Sequence, residues 1–248
     1  MNLTRFTYAE DPSILKTIFQ ELKVPSWPGF MFHDPVANDL WHYLQEEFAE
    51  YQFFYRDEAG ATIAVGHTLP FHWDRPLEEL PDTGWDGIFR KVVDDYLAKR
   101  APNMLTAIEA TIVPRHRGSG LSRMVIGEMR AIAKARGFKT LVAPVRPSMK
   151  SLYPTTPIER YVGWKTEESL PLDPWLRTHA RLGARIVKIA HQSMRIPGTV
   201  AEWEKWTGMR FPESGEYIVP GALVPVRIDR ARDEGLYVEP NVWMEHGV

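Results

Sequence analysis

Residues 104–145 constrain this chain more than any other stretch. MLTAIEATIV (104–113) is β-rich, and VPRHRGSGLSRM (113–124) follows it without a break. Leu121, Met124, Val125, Ile126, Met129 and Ile132 then recur at helical spacing to about Arg136, where Gly137 provides a helix stop. FKTLVAPV (138–145) reads as the next strand. Strand, tight turn, helix and strand in that order suit a parallel crossover. A strand that runs straight into a glycine turn and a helix leaves amide hydrogens unpaired at the positive end of the helix dipole. That place suits an anion, above all a phosphate. Gly118 and Gly120 keep side chains away from such a ligand, Arg115 and Arg117 flank it around His116, and Ser119 and Ser122 offer hydroxyls. The plainer reading is a helix cap with solvated arginines. Two phosphate motifs fail here. Leu121 and Ser122 follow Gly120 where a P-loop needs Lys and Ser/Thr, and Arg123 stands where a dinucleotide fingerprint needs its third glycine.

Asp11 and Pro12 predict a helix start, with Ile14, Leu15, Ile18, Phe19 and Leu22 at helical spacing to about Val24, before VPSWPGF breaks it. A second helix is expected over 35–50, a hairpin over 50–71 turning at DEAG (57–60), and a helix over 85–99. Residues 146–172 are rich in proline, have no clear period, and are long for a plain connection. DPWLRTHARLG (173–183) predicts a helix, ARIVKIA (184–190) a strand, TVAEWEKWTG (199–208) a helix, and the tail further β-rich runs.

A formal net charge of -2 gives no support to nucleic-acid binding. The chain contains no cysteine, which excludes disulfides and thiolate chemistry and fits an intracellular protein. MNLTRFTYAEDPS lacks the apolar core of a signal peptide, and no apolar run approaches the roughly 20 residues that span a bilayer. A cytoplasmic protein without membrane attachment is the expectation. His67 and His72 have no ligand partners at a recognised metal-site spacing, so no metal is assigned.

RHRGSG resembles the pyrophosphate-binding signature of the GCN5-related N-acetyltransferases, Arg/Gln-x-x-Gly-x-Gly/Ala, at Arg115, Gly118 and Gly120. Ile112, Val113 and Pro114 stand where that family often has a V-x-P element after its fourth strand. THARLGARIVKI (178–189) is similar to the family's Leu-Tyr-x-x-x-Gly-Phe pattern, with Gly183–Ala184 at the Gly-Phe pair and His179 at the tyrosine; residues 146–172 then form an insertion. The resemblance implies an α/β fold with a mixed, mostly antiparallel central sheet flanked by helices. It covers roughly residues 1–145 in topology and is sharp over about 104–138; the whole chain is expected to form one domain over 1–248, with a core of about 1–195 and a C-terminal extension over 196–248.

The same resemblance implies direct transfer of an acyl group from acetyl-coenzyme A, or another acyl-coenzyme A, to a small-molecule amine. Backbone of Ile112 and Val113 would pair with the pantetheine arm, while Arg115, Arg117, Gly118, Ser119, Gly120, Leu121 and Ser122 would surround the pyrophosphate. Glu109, the one acid in AIEATIV, is the candidate general base, with an ion pair to Arg146 or a place on the exposed side of the sheet as the structural alternatives. His179 or Tyr153 would protonate the departing thiolate. Arg146 and Lys150 are candidates for acidic groups of either substrate. Trp27, Phe30, Phe32, Trp73 and Trp164 are candidates for aromatic walls around the acceptor. A non-catalytic acyl-coenzyme A-binding module is the alternative reading. An acyl-homoserine-lactone type synthase is a third, weakened by the two-glycine signature. The C-terminal strands offer edges through which a homodimer would form.

Overall fold

Among the described residues, nine strands form one sheet. They are β1 (Thr4–Thr7), β2 (Gln52–Arg56), β3 (Thr62–Phe71), β4 (Met104–Ile112), β5 (Thr140–Val145), β6 (Arg185–Gly198), β7 (Gly215–Tyr217), β8 (Val226–Asp229) and β9 (Glu234–Gly247). The computed structural model describes residues 2–23 and 26–248. The sheet runs β1-β2-β3-β4-β5-β9-β8-β7, with β6 along the other edge of β9. Every pairing is antiparallel except β4 with β5.

The hairpin turns at residues 57–60 as expected, with Gly60 at φ 81°. Among the described residues, seven α-helices follow the chain: α1 (Pro35–Leu40), α2 (His42–Glu46), α3 (Gly84–Leu97), α4 (Leu121–Ala135), α5 (Ile158–Val162), α6 (Pro174–Arg181) and α7 (Val200–Thr207). α4 makes the expected crossover between the two parallel strands and packs on β3, β4 and β5. α3 packs on β6, β3 and β9.

Three expectations change. The N-terminal segment is a 3-10 turn (Pro12–Lys16) capped by Asp11, then a π turn (Phe19–Lys23). Its predicted end at Val24 lies outside the described residues. Ile14, Ile18 and Leu22 are nevertheless buried together against Phe54, Ile63, Val65 and Val113. Burying each such side chain contributes about 1.5–3 kcal/mol, so the inward-facing set survives without a continuous α-helix.

The helix over 35–50 divides at Trp41 into α1 and α2, where the Trp41 ring meets His67 and Trp85. The third change concerns residues 196–248, read from the sequence as an extension. They include β9, which pairs with β5 over 242–247 and with β6 over 235–245. Its first residues pack on α7: a Cβ on Gly235 would lie 2.2 Å from the Trp203 ring, so only glycine lets that indole reach the strand.

Candidate active site

β4 and β5 pair only at Leu105↔Leu141 and Thr106↔Val142. Both strands continue past that point, to Ile112 and Val145, so a gap opens between their C-terminal ends. A bulge helps open it. His67 lies opposite Glu109 and Thr68 opposite Ala107, which leaves Ile108 as the extra residue and bends β4. The Ile108 carbonyl accepts from the Trp85 indole N–H at 2.8 Å. The Val113 N–H donates to the Ile63 carbonyl at 3.0 Å. Antiparallel alternation therefore turns the backbone groups of Ile112 toward the gap.

The turn beyond β4 begins with a 3-10 segment, Pro114–His116. Gly118 (φ 79°) and Gly120 (φ 85°) both lie in the left-handed region. Gly120 is the N-cap of α4 and supplies no side-chain cap. A Cβ on either glycine would meet nothing within 4 Å, so no neighbouring atom demands glycine there. Ser119 Oγ donates to the His116 carbonyl at 2.6 Å, and Arg115, Arg117, Gly118, Ser119 and Gly120 are exposed. Among the described residues, the N–H groups of 118–122 meet no acceptor outside the helix. An open nest of amide donors at the start of a 15-residue helix, beside two arginines, fits a diphosphate.

Glu109 points into a buried polar group. Its Oε2 lies 2.8 Å from His67 Nδ1, with side-chain exposures of 6 % and 0 %. Its Oε1 accepts from Thr111 Oγ1 at 2.7 Å. Thr111 Oγ1 in turn accepts from Trp27 Nε1 at 3.1 Å, and His67 Nε2 lies 2.7 Å from the Tyr8 hydroxyl. Burial, and then the charge of Glu109, push the Tyr8 phenol well above its ordinary pKa. Of the structural alternatives considered for Glu109, neither the Arg146 ion pair nor the exposed face is found.

Arg146 stands just past β5. Its Nε donates to both oxygens of Glu239 (2.8 and 3.0 Å), and its Nη2 donates to the Gly221 carbonyl (2.7 Å). Burial opposes its charge, but the charge of Glu239 and then Tyr237 hold its pKa above the ordinary value. Its guanidinium carbon lies 5.8 Å from the Trp27 ring centroid. Trp27 thus connects the group on β4 to the charged residue that follows β5.

No family model matches the chain. Among solved structures, the loading GNATL domain of CurA from Lyngbya majuscula aligns at a TM-score of 0.66 and 14 % identity, over 100 % of this chain and 98 % of that one. A GphF GNAT-like decarboxylase in complex with isobutyryl-CoA aligns at a TM-score of 0.58 and 15 % identity, over 100 % and 99 %. These two establish the likeness in fold. In sequence, the arginine N-acetyltransferase avaD of Aspergillus versicolor is 36 % identical over 271 aligned positions, covering 98 % of this chain and 93 % of the relative. The chain belongs to the GCN5-related N-acetyltransferase superfamily. It is an acyl-coenzyme A-dependent N-acyltransferase that moves an acyl group to a small-molecule amine.

In this acyltransferase the remaining site residues expected from sequence are scattered. His179 is buried, with Nδ1 2.8 Å from His246 Nε2. His246 pairs with Leu141, at the closed end of the β4–β5 pair. Burial, and then the neighbouring His246, lower the pKa of His179 to about 3, so its imidazole is uncharged near neutrality. Tyr153 follows the open end of β5, is 37 % exposed, and packs its ring against Trp164 (4.9 Å) and Tyr161 (6.0 Å). Lys150 is buried and donates to the Tyr153 and Leu223 carbonyls, tying the 146–172 segment to the C-terminal loop.

Of the five aromatic residues, Trp27 joins the Glu109 group. Phe30 packs on Trp203 and Tyr237, Phe32 on Phe19, Trp73 on Phe71, and Trp164 on Tyr153 and Tyr161. Sequence reasoning missed Tyr8, Trp41 and Thr111 and weighed His67 only as a metal ligand. A histidine inside the β-rich run TIAVGHTLPF (62–71) was the available signal; its burial and its place opposite Glu109 come from the sheet.

Proposed function

We propose that the acceptor is arginine or an arginine-bearing small molecule, that Glu109 takes its amine proton, and that residues 112–122 hold the coenzyme A arm and diphosphate. The observation that carries this reading is a buried carboxylate on the bulged strand beside the gap, with a donor on each oxygen. The relative's activity toward arginine supports the acceptor class.

Acyl-coenzyme A supplies the acyl group as a thioester. Glu109 accepts one proton from the acceptor nitrogen; that nitrogen bonds to the acyl carbon as the carbon–sulfur bond breaks. Tyr153 supplies the proton to the departing sulfur, because its exposed phenol follows the open end of β5 while His179 is buried and uncharged beside His246. The 146–172 segment shapes acceptor choice: residues 154–159, His191, Val238 and Pro240 line a groove of about 420 Å³. The absence of cysteine supports a cytoplasmic setting.

The test is an acetyl-transfer assay on arginine, arginine-containing dipeptides and arylalkylamines. Glu109→Gln should lower kcat by about 100-fold or more, with coenzyme A affinity unchanged by calorimetry. A wild-type kcat in that variant removes Glu109 as the base. Turnover of arylalkylamines without turnover of any arginine compound removes the acceptor class.

A further inference from the structure

We infer that His67, fixed by Tyr8, is a positioning residue that clamps the Glu109 carboxylate. This rests on the reading of Glu109 as the base. Hydrogen-bond directions set the clamp. The Tyr8 phenol keeps its proton, because burial and the charge of Glu109 both oppose its loss. Glu109, as the base, is ionised and can only accept, so the hydrogen shared over 2.8 Å sits on His67 Nδ1; the neutral ring then accepts at Nε2 from the Tyr8 O–H, 2.7 Å away.

The other side runs the same way. An indole N–H can only donate, so Trp27 gives its hydrogen to Thr111 Oγ1, and the Thr111 hydroxyl donates to Glu109 Oε1. Both chains converge on the carboxylate. The Trp41 ring, 5.2 Å from the imidazole and at 81° to it, packs edge-on and holds the plane of His67.

Glu109 cannot rotate without breaking two charge-assisted hydrogen bonds, so the clamp fixes the aim of the carboxylate.

Three variants test this against Glu109→Gln, each checked for folding by thermal melting. Tyr8→Phe removes the hydrogen bond that holds the imidazole tautomer. His67→Leu removes the donor, and His67→Asn restores an N–H close to the place of Nδ1. Tyr8→Phe and His67→Leu should lower kcat about 10- to 100-fold, with KM for acetyl-coenzyme A within about twofold of wild type. The acid limb of kcat/KM should move to higher pH, and His67→Asn should recover most of the loss. If Glu109→Gln is inactive while Tyr8→Phe and His67→Leu keep the wild-type kcat and pH profile, the clamp is overturned and the base assignment stands. If Glu109→Gln is fully active, both are overturned. Should His67→Leu fail to fold, Tyr8→Phe decides the matter: a wild-type kcat and pH profile in that variant overturns the clamp.

Discussion

Gly120 shows how much one residue can specify. Its φ of 85° costs an L-residue about 1–2 kcal/mol, and its missing side chain leaves the helix start open to solvent. Gly120→Trp should therefore abolish coenzyme A binding in a calorimetric titration while the protein stays folded, with a loss of melting temperature of only a few degrees. Retained affinity would move the diphosphate elsewhere. Glu109 is the opposite kind of residue. Its oddness in an apolar strand was visible in sequence, but its partners were not. Tyr8, His67 and Trp27 stand 101, 42 and 82 positions away (109 − 8, 109 − 67 and 109 − 27), and no local spacing predicts such meetings.

At the scale of elements, helix α6 is joined to β9 by the His179–His246 pair. Burial and then Arg130 lower the pKa of His246 to about 4, as burial and then His246 lower that of His179 to about 3. In the unfolded chain both imidazoles take protons near pH 6.5. Their contribution is thus intact above about pH 6.5 and is lost as pH falls toward the folded values, on the order of 2 kcal/mol per imidazole by pH 5. The melting temperature should drop between pH 7 and pH 5. Replacing both histidines with leucine should flatten that limb, since His179 Nε2 and His246 Nδ1 have no hydrogen-bond partner to lose. An unflattened limb would place the acid sensitivity elsewhere.

Asp34 and Asp86, at the starts of α1 and α3, act with the opposite sign. Burial raises Asp34 to about 6; burial and then the charge of Asp34 raise Asp86 to about 8. The folded state therefore holds protons that the unfolded chain has released, and the pair costs stability as pH rises from about 4 through those values. The same scale explains the misread helix over 35–50. Its periodicity was sound: Trp41 keeps helical angles (φ −59°, ψ −30°), and the break is a local tightening, with the Leu44 N–H bonded to the Trp41 carbonyl three residues back.

For the whole molecule, the decisive feature is the place of β9. It lies between β5 and β6, so the last residues of the chain complete the middle of the sheet. A chain ended at residue 195 should fail to fold, losing its cooperative melting transition; a soluble, cooperatively melting fragment would refute this. Arg146 and Glu239 reinforce the same join, linking the end of β5 to β9 through a buried ion pair.

The strand–turn–helix–strand unit, the glycine pair and the hairpin could be read from sequence, because each depends on neighbours within a few residues: φ preferences, apolar periodicity and unpaired amides at a helix start. That was enough to point to an anion seat and to single out Glu109 as the one acid of its strand; coenzyme A was what the resemblance of RHRGSG to the family signature implied. Only the tertiary structure decided what surrounds Glu109, where His179 goes, and that the C-terminal residues enter the sheet. Those outcomes rest on burial and on hydrogen bonds between residues far apart in the chain, and a polar side chain taken out of water finds a partner wherever the packed sheet brings one.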